Sequence, residues 1–459
     1  MIDINLIALT NQDPIALASH AAKTCYNSIP PEMGDLLADP YGQLWEPGHH
    51  TTWQHWQATF AIAGIDVSNM KFGLHLVNRF YNSDEMSGRY CADMFKNPDF
   101  EAIAAYIMHY WPEINENQLS VAMNFVRKST SVFHENIDAA AEVTAKLLKE
   151  ERPHIGAKAL KTTSEKVAQE QMRMFISMIF PTGLDHSLNL TALAAMYQAA
   201  WTPVVKDVTE RAVKLVVAQY PELEKYYDLP RREGELLPVI PEASSAGVMD
   251  TPSLRVRNFD IDWDKVEDPR KSQMHPVDLL HFLPEMMNNS TTSIRMEIEI
   301  SAATMGQDQR HRTINRSMPE FTGNFYMPVV IKEMGLEDVA LETIRDWLSL
   351  PGTLPDSLVV ALAPYGAMVR YQKCGNLNAI AHEQGKRLCF CAQEEIYNLG
   401  RLLLESCFEV YYSPSQLLPL SKYLRPPCYD DGKCAEGKRY CGRNLKASKP
   451  NDYFPVRKV

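Results

Sequence analysis

Three side chains that can bind an anion are consecutive in the second half of the sequence, at Arg310-His311-Arg312, and the amide of Gln307 lies just before them. Guanidinium groups bind phosphate oxygens through paired hydrogen bonds, so a fixed pair of arginines can hold a phosphorylated small molecule. Shortly upstream, residues 294–300 alternate apolar and charged side chains, which predicts a half-buried strand. A strand leading to this cluster indicates a fixed anion site, although a basic tripeptide taken alone is typical of a loop that faces water.

The composition is that of an ordinary globular protein and limits its partners. The 459 residues suffice for two domains, and 45% hydrophobic with 22% charged residues are usual proportions. A formal net charge of −11 argues against broad nucleic-acid binding, so an anionic small substrate would need a local cationic pocket. There is no apolar run of the roughly 20 residues that a membrane span needs, and no signal-like opening. We therefore expect a cytoplasmic protein with neither a membrane nor a nucleic acid as partner.

The periodicity of the apolar residues predicts an α+β protein in two parts. Strands are predicted at 56–62, 254–261 and 294–300. Helices are predicted at 13–22, throughout 100–230, and at 276–287, 338–350, 356–371 and 392–407. A stretch with proline, glycine and serine but no periodicity separates the two parts. The predicted organisation is an N-terminal domain over 1–230, a linker over 231–252, a C-terminal domain over 253–412 and an irregular basic, cysteine-containing tail over 413–459.

The nine cysteines, in a chain without a signal, predict reduced thiols rather than a disulfide framework. Cys428, Cys434 and Cys441 are spaced by six and seven residues, unlike the C-x2-C pairs of common metal sites. Cys389-x-Cys391 lies in a run that has the character of a core. We therefore expect no metal site, with a zinc site in the tail as the less favoured alternative.

A family resemblance is carried by two motif fragments. Glu85-Met-Ser-Gly-Arg-Tyr90 resembles the second part of the signature of the flavin-dependent thymidylate synthases, RHR-x2-S-x-N-E-x-S-x-R-Y, and Arg310-His-Arg312 resembles its first part. The N-terminal half has Val77-Asn78-Arg79 in place of RHR, with Asn82 and Asp84 at the Ser and Asn positions. The C-terminal half lacks the Glu, the second Ser and the final Arg. Such complementary losses favour a divergent tandem duplication of the family's domain.

Other segments extend the resemblance over roughly 20–230 and 265–410. They are similar to the family's G-H-E-T-P-F-E-H turn, its arginine-bearing helix and its N-A-R…L-R-A-x-x-x-A-Q-x-E-I segment, and they lie at 48–55, 169–173, 376–378 and 386–396. Asn378 stands where the family has an arginine. The implied fold is two tandem domains, each a small antiparallel sheet packed with long helices.

The resemblance assigns roles to particular side chains. The catalytic residues would be Arg310, Arg89, Ser87 and Glu85. FAD would be bound by His49, Thr51, Arg310, His311, Arg312, Asn376 and Asn378. The nucleotide would be bound by Gln307, Glu85, Ser87, Gly88, Arg89, Arg173 and Arg387. A nucleotide's phosphate needs several arginines and backbone N–H groups, and an arginine beside the pyrimidine would stabilise negative charge that develops on the ring.

The resemblance also implies a reaction and an assembly. The reaction would be reductive methylation of dUMP to dTMP, with FAD as cofactor and methylenetetrahydrofolate and NAD(P)H as co-substrates. The family is homotetrameric, so a fused chain would form a homodimer that imitates the tetramer, with composite sites made from an N-terminal and a C-terminal half. Two other functions stay open: another flavin-dependent modification of a pyrimidine nucleotide, such as hydroxymethylation, or nucleotide and flavin binding without turnover. His49 and His311 could equally be structural histidines, and Glu85 an ordinary salt-bridge carboxylate.

Overall fold

The structure is a computed structural model, and its residues fall into two compact units that alternate along the sequence. It describes residues 1–76, 81–88, 91, 93–262, 265–268, 277–410, 424–431, 434, 437, 441, 443 and 454–459. The first unit comprises Met1–Met123, Met178–Leu237 and Gly352–Leu362, and the second comprises Asn124–Ser177, Pro238–Pro351 and Ala363–Val459. These units differ from the continuous ranges that we predict as domains, because each half of the sequence contributes residues to both.

Strands and helices occur in both units, so the expected α+β class is confirmed. Within the described residues the strands are β1 Asp3–Leu9, β2 Gln57–Asp66, β3 Tyr81–Glu85, β4 Pro181–Asn189, β5 Gly247–Met249, β6 Ser253–Asp260, β7 Ser293–Ser301, β8 Asn315–Arg316, β9 Glu320–Tyr326 and β10 Ala367–Gly375. The α-helices are α1 Pro14–Thr24, α2 Val67–Asn69, α3 Asp93–Lys96, α4 Phe100–Tyr110, α5 Glu116–Glu151, α6 Ala157–Met172, α7 Leu190–Ala199, α8 Pro203–Gln219, α9 Ala302–Asp308, α10 Val329–Glu333, α11 Glu337–Leu348, α12 Asp356–Leu362, α13 Leu377–Arg387, α14 Glu394–Val410 and α15 Cys428–Asp431. None of the helices in these ranges is long and apolar enough to cross a membrane.

The first unit is built on an antiparallel sheet in the order β1-β2-β4-β3. Alternate side chains of β2, including Phe60 and Ile62, are buried, as the period of two predicts. At Gly64 the register of β2 shifts, its φ is +82°, and an added Cβ would lie 2.8 Å from the carbonyl oxygen of Met1. The side chain of Asp13 starts α1 by accepting a hydrogen bond of 2.7 Å from the amide of Ala16.

The second unit is built on a sheet in the order β5-β9-β10-β7-β6, with β8 also paired to β10. We expected an antiparallel sheet. Neighbouring strands of this sheet are antiparallel except β5 and β9, which are parallel. The apolar residues of β7 at 294, 296, 298 and 300 are buried, which confirms the alternation predicted for this segment. Helix α14 packs against β6 and α9. The end of β7 leads directly into α9, and the end of β10 leads into α13. These helices carry polar residues that are described below.

Some predicted elements are wrong. Residues 181–189, and residues 367–371 at the end of the helix predicted over 356–371, lie in strands β4 and β10 rather than in helices. Each of these strands pairs with strands on both of its sides. In place of a helix at 276–287, the described residues form 3-10 turns at Val277–Leu279 and Pro284–Thr291, because Pro284 has no N–H to continue a helix. Residues 247–249, expected to be linker, form β5.

The end of the tail is ordered against the second unit. Val459 and Arg457 are buried, and the backbone carbonyl of Arg457 accepts a hydrogen bond of 2.9 Å from the side chain of Asn398 on α14. The amide of Lys458 donates a hydrogen bond to Glu151 on α5. The last residues of the chain are thus part of the packed unit.

Candidate functional site

Helix α9 carries Gln307 and is fixed at its start by a buried carboxylate. Ser301 caps the helix by accepting a hydrogen bond of 3.1 Å from the amide of Thr304. Glu395, in the first turn of α14, accepts hydrogen bonds from the Ser301 amide at 2.6 Å, the Ser301 hydroxyl at 2.5 Å and the Thr304 hydroxyl at 2.6 Å. Burial raises the pKa of Glu395 to about 7, although these hydrogen bonds oppose the shift. The position of Gln307 is therefore set by the start of α14.

Gln393 joins two of the residues predicted to bind the nucleotide. It is fully buried, and its Oε1 accepts hydrogen bonds from Arg173 Nη2 at 3.2 Å and from Gln307 Nε2 at 2.5 Å. Arg387 Nη2 donates a hydrogen bond of 2.5 Å to the backbone carbonyl of Gln307. The guanidinium of Arg173 also lies 5.3 Å from the ring centroid of Tyr365. The structure thus brings Arg173, Gln307 and Arg387 into one network, whose centre, Gln393, the sequence analysis did not single out.

His311 is held as a neutral imidazole. Its Nε2 accepts a hydrogen bond of 2.8 Å from Arg387 Nε, which has only a proton to offer, so the ring proton lies on Nδ1. Burial and the positive charge of Arg387 hold the pKa of His311 well below its ordinary value. The ring meets that of His382 edge to face at 5.3 Å. His311 can therefore act as a hydrogen-bond donor through Nδ1 but not as a cation.

A buried group of charges supports the turn at 309–314. Asp308 Oδ1 accepts a hydrogen bond of 2.6 Å from Lys373 Nζ, and Asp308 Oδ2 accepts one of 2.8 Å from the hydroxyl of Tyr371. Lys373 also pairs with Glu383 at 2.6 Å, and Arg316 pairs with Asp308 and donates to the His311 carbonyl at 3.1 Å. Burial opposes the charge on Asp308, but Arg316 and Lys373 keep its pKa well below the usual value. These bonds hold the backbone that presents His311.

The network includes an acceptor, Gln307 Oε1, and two donors, Gln393 Nε2 and His311 Nδ1, that are buried without a hydrogen-bond partner within the described part of the chain. Buried polar atoms are nearly always paired, because leaving one unpaired costs about 1–3 kcal/mol. An acceptor and donors left in one place are the pattern expected of a site that completes its hydrogen bonds with a ligand.

Arg310 and Arg312 flank His311 in the same turn, and both are half-buried. The two asparagines predicted to bind FAD have internal roles. Asn376 caps α13 by accepting a hydrogen bond of 2.9 Å from the amide of Ala379. Asn378 is buried, and its amide donates to the Met286 carbonyl at 2.9 Å and accepts from Asn289 at 3.0 Å. These bonds engage Asn378 where the family signature has an arginine.

The remaining predicted residues belong to the first unit or lie outside the described residues. Glu85 ends β3, and its carboxylate is 4.0 Å from Nδ1 of His75, whose Nε2 is 2.9 Å from the Ser83 hydroxyl. Ser87 and Gly88 follow in a half-buried loop, while Arg89 lies outside the described residues. His49 and Thr51 are exposed in the first unit, at the start of the 3-10 helix His50–His55.

Comparison with known proteins gives a family for part of the chain. Residues 5–212 match the family model described as "Thymidylate synthase complementing protein". The match covers less than half of the chain and shows a similarity to that family for this part. The match to the thymidylate synthase complementing family contains His49, Thr51, Glu85, Ser87, Gly88, Arg89 and Arg173. The turn at 310–312 and Arg387 lie beyond it, so the tandem duplication stays a prediction.

The chain also has similarities to solved structures, at low TM-scores. Thymidylate synthase X from Helicobacter pylori with FAD and dUMP has a TM-score of 0.33 and 15% identity, over 50% of this chain and 100% of that chain. A UMP/dUMP methylase, PolB, from Streptomyces cacaoi bound with 5-Br UMP has a TM-score of 0.30 and 12% identity, over 39% of this chain and 98% of that chain. TM-scores this low do not establish a common fold with thymidylate synthase X. None of the curated proteins compared with the sequence matches it.

Proposed function

We propose that the protein is a flavin-dependent thymidylate synthase that converts dUMP to dTMP, with methylenetetrahydrofolate as carbon donor and NAD(P)H as reductant. The family match over residues 5–212 supports this reaction class. The observation that carries it is the network of Arg173, Gln393, Gln307 and Arg387 in the second unit, with its unpaired acceptor and donor.

The unpaired atoms suit the edge of a uracil ring. That edge presents an N–H donor flanked by two carbonyl acceptors. Gln307 Oε1 would accept from the ring N–H, and Gln393 Nε2 would donate to a ring carbonyl. Arg173 and Arg387 would supply positive charge to the nucleotide and to negative charge that develops on the ring during reaction. Their roles as nucleotide ligands, together with those of Glu85, Ser87, Gly88 and Arg89, belong to the proposal.

The turn at 310–312 fits the phosphate-bearing part of FAD. Arg310 and Arg312 supply cations, and the Nδ1 proton of His311 is a buried donor without a partner in the described residues. Bound FAD would supply the hydride chemistry, and the chain would orient it. His49, Thr51 and Asn376 are proposed as further contacts. Asn378 fits less well, because its amide is already bonded on both sides.

The proposed sites are composite and the proposed assembly is a homodimer. Arg89 and Arg310 are on opposite halves of the sequence, and each half lacks what the other retains of the signature. An isologous dimer of such chains would contain two equivalent sites.

The test is turnover by the purified chain. We expect a yellow protein that binds FAD and converts dUMP to dTMP in the presence of methylenetetrahydrofolate and NADPH. Mass spectrometry of the product identifies the added group: a methyl group supports the proposal, and a hydroxymethyl group or a modified UMP rejects it. A colourless protein that takes up no FAD rejects it as well.

A further inference from the structure

The guanidinium of Arg457 is buried against the short segment that leads into α14. Its Nη1 donates a hydrogen bond of 2.7 Å to the backbone carbonyl of Ala392, the residue directly before Gln393. The same group lies 5.0 Å from the ring centroid of Phe390 and 5.3 Å from that of Tyr397. Because the peptide that joins Ala392 to Gln393 is planar, a hydrogen bond to this carbonyl fixes the orientation of the backbone at Gln393.

A second bond from the same part of the tail reaches the element that carries Arg173. The backbone carbonyl of Lys458 accepts a hydrogen bond of 3.3 Å from Nε2 of Gln171. Gln171 is fully buried in the last turn of α6, two residues before Arg173, and its Oε1 accepts a hydrogen bond of 3.3 Å from the amide of Val330. The tail therefore bonds to residues beside both partners of the 3.2 Å hydrogen bond between Arg173 and Gln393.

Residues 457–459 are themselves fixed by side chains of two helices. Asn398 on α14 accepts a hydrogen bond of 3.0 Å from the amide of Arg457 and donates one of 2.9 Å to its carbonyl. On α5, Glu151 Oε1 accepts hydrogen bonds from the amides of Lys458 and Val459, and Glu151 Oε2 lies 3.6 Å from Arg457 Nε. A largely buried ion pair of this kind favours one geometry, because separating its members is costly. We call residues 457–459 the tail clamp.

We propose that Arg457 is a positioning residue for recognition of the uracil base, and that the tail clamp acts on the base through Gln393. This inference rests on the proposed function, in which Gln393 Nε2 and Gln307 Oε1 face the edge of the base. Without the bond from Arg457 to the Ala392 carbonyl, the backbone before Gln393 can shift, and the side-chain amide loses its fixed direction. The direction matters because one end of a glutamine amide donates hydrogen bonds and the other end accepts them.

Discrimination between uracil and cytosine tests this role directly. Uracil presents a ring N–H between two carbonyl oxygens, whereas cytosine has an unprotonated ring nitrogen there and an amino group in place of one carbonyl. Gln307 Oε1 would accept from the uracil N–H but would face the lone pair of the cytosine nitrogen. A site built to bond an N–H rejects an analogue that lacks it. A simple loss of folded protein would leave the ratio of the two dissociation constants unchanged.

The experiment measures binding of dUMP and dCMP to the full chain, supplied with FAD, by isothermal titration calorimetry. In Arg457→Met the new side chain fills similar space between the two rings but has no hydrogen to donate. We expect the Kd for dUMP to rise about tenfold and the preference for dUMP over dCMP to fall about as much, the range for one buried hydrogen bond to a charged group. Lys458→Met is the matched control, because that side chain is exposed and its backbone bonds remain. It should bind both nucleotides as the wild type does.

A second measurement needs no variant, and it decides the matter if Arg457→Met fails to fold. Coupling between two sites is reciprocal, so a tail clamp that strengthens dUMP binding must itself be stabilised by bound dUMP. The amides of Arg457 and Lys458 donate to Asn398 and Glu151, and their hydrogen exchange reports on the clamp. Mass spectrometry should show this exchange slowed about tenfold by saturating dUMP, the reciprocal of the change in affinity.

The outcomes separate this inference from the proposed function. Folded Arg457→Met with wild-type affinity and preference would overturn the inference alone, as would equal losses in Lys458→Met. Exchange at the tail clamp that dUMP leaves unchanged would overturn it as well. A wild-type chain that binds neither nucleotide, or binds dCMP as tightly as dUMP, would instead reject the proposed function and this inference with it.

Discussion

The side-chain carbonyl of Gln393 accepts hydrogen bonds from both Arg173 and Gln307, and its amide nitrogen is buried without a partner in the described residues. A single residue therefore sets the relative position of two predicted ligands. In sequence it matches the glutamine of the family's A-Q-x-E-I segment, but only the structure shows which residues its side chain contacts. A pattern can place a residue in a motif, whereas the partners of its side chain depend on elements far away in sequence.

The first prediction at this scale is that Gln393→Ala lowers kcat/KM for dUMP by roughly tenfold or more. Arg173 and Gln307 would each lose a buried partner, and an unsatisfied buried group costs about 1–3 kcal/mol. Steady-state kinetics with varied dUMP measures the effect. Gln372→Ala is the matched control, because that side chain is exposed on β10, and it should keep normal kinetics. Equal losses in the two variants, or none in Gln393→Ala while the fold is intact, would contradict the assigned role.

At the scale of elements, the start of α14 gathers buried carboxylic acids. Burial raises the pKa of Glu394 to about 8, and Glu170 on α6 and the adjacent Glu395 add to the shift while Arg457 opposes it. The hydroxyl of Tyr326 on β9 donates a hydrogen bond of 3.3 Å to Glu394. Glu394 is thus kept as a neutral acid by its surroundings at neutral pH.

The second prediction follows from this raised pKa. The folded state holds the Glu394 proton more tightly than the unfolded state, so its contribution is complete below pH 4.5 and is lost as pH rises to about 8. The urea midpoint of unfolding should therefore fall as pH rises from about 4.5 to about 8. His311 has the opposite effect on stability, because its pKa is lowered in the folded state. Its contribution to the free energy of unfolding is complete above about pH 6.5 and is lost as pH falls.

Glu394→Gln should make this decline between pH 4.5 and 8 shallower, since glutamine does not titrate, and Glu395 should account for part of what remains. Glu342→Gln is the control, because Glu342 is an exposed partner of Lys128, and it should leave the profile unchanged. A decline of unchanged size in Glu394→Gln would assign the pH dependence to other groups.

The elements also show why some predictions were right and others wrong. The strand at 293–301 has apolar residues at alternate positions, and the helix α1 begins at a capping residue, so the local sequence specifies both. By contrast, β4 and β10 are inner strands with neighbours on both sides, and their mostly buried sequences lack the clear alternation of a half-exposed strand. The pairing that makes them strands comes from segments distant in sequence, such as β2 and β7.

At the scale of the whole molecule, the sequence halves and the compact units do not coincide. Arg173 was assigned with Glu85 to the N-terminal half, yet the structure places it in the second unit beside Gln307 and Gln393. Residues 124–177 are continuous in sequence with the first sheet, so no local pattern could show that they pack in the other unit. The residues themselves were predictable from motifs, but their grouping into one network was not.

The third prediction concerns how complete sites arise. Arg89→Ala and Arg310→Ala are each expected to abolish most turnover, because each removes a cation proposed to act on the same nucleotide and flavin. If sites form between chains, a dimer of the two variants has one site with both substitutions and one with neither. Random mixing of equal amounts should then restore about a quarter of the wild-type activity, since half of the dimers are mixed and half of their sites are intact.

The measurement is dTMP formation after co-expression of the two variants, with different tags so that mixed dimers can be isolated. Isolated mixed dimers should reach about half of the wild-type rate per chain, by the same symmetry argument. The control is each variant expressed alone, whose homodimers should be inactive. No recovery in confirmed mixed dimers would mean that both arginines act within one chain, because every chain then carries one defective site. Full activity of either single variant would instead remove that arginine from the proposed chemistry.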